Sequence, residues 1–327
     1  MNIENTLVCP SCKGQLSQAV DNLSCSGCGK HYARIKNVWN LRTVLSDPAT
    51  SWDAEVFDQA YEKSDGGFKD REMYASSFGI PQFADKYLES EKESRIKSFI
   101  CERKPSYVLD LGCSSGWLSF EMSECSPSTV FYGIDISTYR VNLFQEQITA
   151  RNCQQKMHAA SANGENLPFR DDFFDIVVMD EVIEHLQEPG STLREIKRVL
   201  KPDGYLIITT PSRFMTSFWK LAALVPTFLK RLFKGESLTR KKTIKPYENI
   251  LPCSILKKLF EDAGFEIQKW DRVIFLPHES YLQHIPVPLL KIMLLKARLT
   301  GKIPFLKFLG LHHFILLGKP SKEIICI

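Results

Sequence analysis

Apolar and polar positions alternate in blocks between Lys104 and Pro211. Val108-Leu109, Val130-Phe-Tyr-Gly-Ile134, Phe173 to Met179 and Tyr205 to Pro211 are short apolar runs of the kind that parallel strands buried on both faces show. Helical patterns separate them. Trp117-Leu-Ser-Phe-Glu-Met follows the first run, and Thr192 to Leu200 precedes the last, with Lys201-Pro-Asp-Gly204 as the turn out of that helix. Strand and helix in alternation require parallel pairing through right-handed crossovers, so the pattern predicts an α/β fold. Further on, a helix from Pro252 to Ala263 stops at Gly264, a strand runs from Phe265 to Trp270, and His313 to Gly318 supplies a last strand. On the N-terminal side, residues 46–106 read as a polar, helical extension broken at Asp47-Pro48 and Asp65-Gly66-Gly67. Its last helix, Glu89 to Ile100, carries Ile96, Phe99 and Ile100 on one side and leads into the sheet.

Two segments depart from the pattern, 212–250 and 277–311. Arg213 to Phe233 is apolar and basic together, without a single acid, and Lys234, Arg240, Lys241, Lys242 and Lys245 extend the positive stretch. Pro277 to Leu311 has the same character, as in Leu289-Leu-Lys-Ile-Met-Leu-Leu-Lys-Ala-Arg-Leu. Such insertions fit core helices, RNA contact or a membrane interface. Pro226, Pro286 and Pro288 cut them into short helices, which suits a surface. They are more apolar than an RNA-binding patch needs, so the expectation is peripheral contact with the inner face of a membrane. No run reaches the roughly 18 uninterrupted apolar residues of a span.

Composition adds little until the cysteines. The 327 residues suffice for one large domain and a small one, and 44% hydrophobic with 24% charged residues is ordinary for a globular chain. The net charge of +4 is too small to imply nucleic acid by itself. No basic region followed by an apolar core opens the sequence, so a signal peptide is not expected. Cys9-Pro-Ser-Cys12 and Cys25-Ser-Gly-Cys28 are two Cys-x-x-Cys knuckles. Four thiolates at that spacing can surround one structural Zn²⁺, leaving no position open for water. A module of residues 1–45 is too short to stabilise itself by its core, so the metal must contribute. Cys101, Cys113, Cys125, Cys153, Cys253 and Cys326 stand singly, a usage that predicts a reducing cytoplasm.

The organising stretch is Tyr107-Val-Leu-Asp110-Leu-Gly112-Cys113-Ser-Ser-Gly116-Trp117. An apolar strand enters a glycine-rich turn and then a helix, whose first amide groups favour ligand oxygens. The spacing is neither G-x-G-x-x-G nor a P-loop. Asp135 ends the next strand about 20 residues on, where a carboxylate accepts from both ribose hydroxyls. Asp-x-Gly-x-x-x-Gly resembles the first motif of the class I S-adenosylmethionine (SAM)-dependent methyltransferases. Asn163-Gly164-Glu-Asn-Leu-Pro-Phe169 and the turn Leu200-Lys-Pro-x-Gly204 resemble two later segments of that family. The resemblance runs from about Lys104 to Pro211 and implies a Rossmann-like sheet of seven strands, SAM as cofactor, and methyl transfer. It puts Asp110, Gly112, Cys113, Gly116 and Asp180 around the cofactor, Ile136 against the adenine face, and Asn163 with Gly164 at the adenine amino group. Asn163 stands where the family usually has Asp. Helices ahead of the sheet often close over the cofactor in this fold class, and Tyr61 and Tyr74 either do so here or are surface aromatics of an ordinary helix. The cysteine module resembles the zinc ribbon that accompanies many bacterial methyltransferases. Because the motifs begin at Asp110, its removal is expected to leave SAM binding intact.

Few catalytic side chains are needed, since SAM carries its own leaving group. Glu181-Val-Ile-Glu184-His185 follows the fourth strand, where ligands bind. On a helix, Glu181, Glu184 and His185 would converge. A neutral His185 could then take a hydroxyl proton, or the three could hold a divalent metal. The run resembles that of the ubiquinone-biosynthesis O-methyltransferases, which implies O-methylation of an amphiphilic small molecule, a lipid or a lipid-linked saccharide intermediate. The alternative is RNA. A zinc module ahead of the methyltransferase sheet is similar to the layout of rRNA guanine-N1 methyltransferases, although their module usually ends in His where this chain has Cys28.

Overall fold

The computed structural model describes residues 3–43, 58–59, 73, 75–76, 79–219, 221, 248–277 and 282–320. Strands β1 (Leu16–Gln18), β2 (Asn22–Cys25), β3 (His31–Ile35) and β4 (Val38–Asn40) build the cysteine module. Helices α1 (Gln82–Glu91) and α2 (Glu93–Arg103) lead to β5 (Tyr107–Leu111), α3 (Trp117–Cys125), β6 (Val130–Asp135), α4 (Thr138–Ala150) and β7 (Met157–Ser161). Then follow β8 (Phe174–Asp180), α5 (Pro189–Val199), β9 (Leu200–Pro211), α6 (Cys253–Asp262), β10 (Glu266–Val273), α7 (Val287–Thr300) and β11 (His312–Gly318).

The seven strands from β5 to β11 lie in the order β7-β6-β5-β8-β9-β11-β10. β5 through β9 pair in parallel, and β11 is antiparallel to both β9 and β10. The sheet does not stop at β7. β4 joins its edge in parallel, Trp39 opposite Ala160 and Asn40 opposite Ser161, so the cysteine module continues the sheet. One face of the sheet buries Trp39, Phe169, Phe174, Ile196 and Phe260. The other buries Tyr87, Ile96, Phe131, Phe144 and Leu290. Sandwiching helices leave β5 to β8 almost wholly buried, which is why their sequences read as continuous apolar runs.

Three sequence expectations change. The single helix over Glu89–Ile100 is broken at Lys92, whose backbone (φ −120°, ψ −72°) leaves the helical region. The Lys201–Gly204 turn lies inside β9, where the register to β8 jumps from Leu200 to Tyr205 and the extra residues bulge out. Cys101 and Cys125 are not single: they form a disulfide between α2 and α3. Residues 213–219 are helical, with Met215 and Thr216 buried and Phe214 and Phe218 exposed. Tyr61, Tyr74, Pro226, Lys234, Arg240, Lys241, Lys242, Lys245 and Cys326 lie outside the described residues. Among the described residues, no helix is long and apolar enough to cross a membrane.

Candidate active site

β5 delivers Asp110 to the end of the sheet and turns through Gly112 (φ 82°) and Gly116 (φ 83°) into α3. Both glycines occupy the left-handed region, and neither has room for a side chain. A Cβ on Gly112 would lie 2.2 Å from Val182, and one on Gly116 would lie 2.0 Å from the ring of buried Phe144. The turn is pinned by the amides of Gly112 and Cys113, which donate to Ile134 O at 2.7 and 3.1 Å. Asp110 is 2% exposed and accepts from Ser119 Oγ at 2.6 Å. Burial, only partly offset by that hydrogen bond, pushes its carboxyl up to about 7.

Asp135 accepts one backbone N–H at each oxygen, from Ser114 and from Ser137, both at 2.9 Å. Burial raises its pKa and these amides oppose the rise. Each oxygen keeps a lone pair for a further donor. The cavity that Asp135 lines measures about 400 Å³. Asp110, Gly112, Cys113, Ile136, Asn163, Gly164 and Asp180 line it as well, and so do Glu181 and His185. Gly116 does not reach it and serves the packing of α3 on α4. An apolar side chain and an acid with two free acceptor sites, in a cavity of this size, fit a nucleoside. The amide oxygen of Asn163 already accepts from Thr43 N at 2.8 Å, so the segment leaving the cysteine module holds this residue. Arg42 reaches Ile136 O at 3.3 Å and pairs with Asp58 at 3.5 Å.

At the opposite end, the expected helical convergence of Glu181, Glu184 and His185 does not occur. Only Ile183–His185 forms a helical turn, and Glu181 precedes it with φ 56°. Glu181 and His185 face the cavity, whereas Glu184 is buried and accepts from Thr210 Oγ1 at 3.0 Å. Burial, and then the charge of Glu181, raise the Glu184 carboxyl well above its ordinary range. Burial opposes the charge of Glu181 too, but His312 and then Lys92 win and hold its carboxyl far below that range. His312 Nδ1 lies 2.9 Å from Glu181 Oε1. Lys92 Nζ lies 3.3 Å from Asp180 and 3.8 Å from Glu181. The Thr209 hydroxyl stands 2.5 Å from Asp180 Oδ1 and 2.8 Å from Glu181 Oε1, able to donate to one at a time. Sequence reasoning missed Lys92, Thr209 and His312. Lys92 carried no signal beyond its helix, and His312 merely precedes a strand.

Among the described residues, Cys9, Cys12, Cys25 and Cys28 are the one group of potential ligands whose donor atoms come together, all within 4.8 Å of one another. Cys9 and Cys28 sulfurs are 3.6 Å apart, and those of Cys12 and Cys25 3.4 Å. Zn–S bonds of about 2.3 Å in a tetrahedron separate sulfurs by about 3.8 Å, so the set fits zinc. A Cβ on Gly14 would lie 3.2 Å from Cys12 Sγ, so glycine leaves room for the sulfurs. No such group forms at Glu181, Glu184 and His185, so a divalent metal there has no geometric support.

Residues 109–208 match the family described as a methyltransferase domain. The chain is 28% identical over 167 residues to a demethylmenaquinone methyltransferase of Lactobacillus johnsonii, covering 49% of this chain and 68% of that protein. It is 29% identical over 151 residues to a ubiquinone biosynthesis O-methyltransferase of Haemophilus ducreyi, covering 45% and 62%. Among solved structures, a SAM dependent methyltransferase from Aquifex aeolicus aligns over 71% of this chain and 96% of its own, at 18% identity and a TM-score of 0.42.

Proposed function

The chain is a class I SAM-dependent methyltransferase, and from that premise we propose that it methylates a hydroxyl of an amphiphilic small molecule, such as a quinone-like compound, a lipid or a lipid-linked saccharide intermediate. SAM supplies the methyl group on a sulfonium that leaves as a neutral thioether. Asp135 receives the two ribose hydroxyls, Ile136 lies against the adenine, and Asn163 with Gly164 borders it. Gly112 and Cys113 form the floor, with Asp110 and Asp180 beside it. His185, on the cavity wall, takes the acceptor's proton. Glu181 holds a negative charge next to it, fixed by His312, Lys92 and Thr209, while Glu184 anchors the turn that carries His185. The four cysteines hold a structural Zn²⁺.

The observation that carries the acceptor class is a second, apolar groove of about 610 Å³. It begins at Ser212, directly after β9, and is walled by Phe214, Phe218, Leu221, Pro252 and Cys253. It therefore opens at the same end of the sheet as the cavity, since Asp180 on the cavity wall pairs with Thr209 near the end of β9. The names of the relatives, demethylmenaquinone methyltransferase and ubiquinone biosynthesis O-methyltransferase, agree with a quinone-like acceptor and lend no support to RNA. The test compares a long-tailed hydroquinone with its tail-less analogue. The tail should raise kcat/KM by at least about tenfold, equivalent to about 1.4 kcal/mol. Phe214→Ala with Phe218→Ala should erase that preference and spare the tail-less substrate. Equal use of both substrates by the unaltered protein overturns the reading.

A further inference from the structure

Helix α7 is apolar on two opposite sides. Leu290, Leu294 and Ala297 are buried against the body of the protein. Ile292, Leu295 and Leu299, spaced by three and four residues, form the opposite stripe and are 53%, 62% and 54% exposed. A helix on a protein surface ordinarily turns a polar face outward. Here the outward face is aliphatic. Its exposed flanks carry Lys291, Lys296 and Arg298, and the turn that follows presents exposed Lys302 and Phe305, the latter 76% exposed. Residues 282–320 contain no Asp or Glu.

We propose that this outer face of α7, with the turn to Phe305, docks the protein on an anionic lipid bilayer, the helix lying in the interfacial plane. The aliphatic stripe enters the acyl boundary while the flanking cations extend to the lipid phosphates. The charge pattern selects this occupant. Two copies meeting through this segment would bring lysines against lysines, since residues 282–320 supply no carboxylate to answer them. A nucleic acid would match the cations but leave the aliphatic stripe in water, since bases stack on aromatic rings and not on branched chains. The face also adjoins the apolar groove, because Phe308, on the segment after α7, meets Phe214 with ring centroids 6.4 Å apart. Docking stands on this surface alone and does not depend on what the acceptor is.

The experiment uses the full chain and two sets of vesicles, phosphatidylcholine alone and phosphatidylcholine mixed with phosphatidylglycerol. The protein should sediment with the mixed vesicles at low salt and much less with the neutral ones. Lys296→Glu with Lys302→Glu should lower partitioning at least about tenfold, and added salt should diminish that difference. Ile292→Ser, Leu295→Ser and Leu299→Ser together should lower partitioning at every salt concentration. Both variants should elute from gel filtration like the unaltered protein and bind SAM as it does, since these side chains are exposed and do not line the cavity. Protein that stays in the supernatant with anionic vesicles overturns the proposal. A serine variant that sediments unchanged does so too, by reducing the effect to charge. A serine variant that converts a dimer to a monomer overturns it in favour of a protein interface.

Discussion

Asp110, like Glu184, is a carboxyl whose charge the fold resists. Its carboxyl titrates near 7 in the fold, against 3.8 as the ordinary value, because burial outweighs the Ser119 hydrogen bond. A raised carboxyl pKa means that the fold prefers the neutral acid. The stabilisation is therefore complete below the unfolded pKa and is lost as pH climbs through about 7. Melting of the SAM-free protein should show Tm falling between about pH 4 and pH 7, and Asp110→Asn should flatten that slope; an unchanged slope in the variant assigns it elsewhere. The acids and glycines of this turn were readable in the sequence because the turn permits few other residues. Glycine at 116 answers to the Phe144 ring, a contact across 28 positions that no local pattern announces. Lys92, Thr209 and His312 were illegible for the same reason: they reach Asp180 and Glu181 only after the sheet and its helices are assembled.

At the scale of elements, the alternating runs announced β5 to β9 because burial on both faces leaves an unbroken apolar signature. Glu181 to His185 misled for a physical reason. Helical spacing would bring the three together, but Glu181 sits in the left-handed region ahead of a single turn, Ile183–His185, so its neighbours splay apart. The cysteine module was legible as four ligands and illegible as a part of the sheet. Its strand β4 pairs with β7, Val8 N donates to Pro168 O, and Lys13 reaches both Leu167 O at 3.3 Å and Glu195 at 2.7 Å. Thr43 holds Asn163. The contacts from Val8, Lys13 and Thr43 hold the segment from Asn163 to Pro168, whose first residues line the cavity, and argue that the module supports SAM binding. Stripping zinc with a chelator should weaken SAM binding at least about tenfold by calorimetry, since each lost hydrogen bond is worth about 0.5–1.5 kcal/mol. Readdition of zinc should restore it. Full SAM affinity in protein shown to be metal-free would uncouple the module from the site.

For the molecule as a whole, one continuous sheet means one long interface and two ends. β10 closes one end by its antiparallel pairing with β11, and the cysteine module covers the other. Deleting residues 1–43 would expose the edge of β7, every residue of which is buried. Unpaired, apolar edges recruit further chains. The truncated protein should therefore aggregate, seen as a rise in light scattering at concentrations where the full chain stays clear; a clear, monomeric truncation would mean that β7 tolerates solvent. The order of synthesis gives the same pairing another meaning. The four cysteines all precede β5 by about 80 positions or more, so the module can close on a metal while the strands from β5 onward are still unmade. Ala160 emerges about 120 residues after Trp39, an interval of roughly ten seconds at ordinary translation rates. β7 thus meets a finished strand waiting for it, and the edge of the sheet most exposed to mispairing is provided with its partner before it exists.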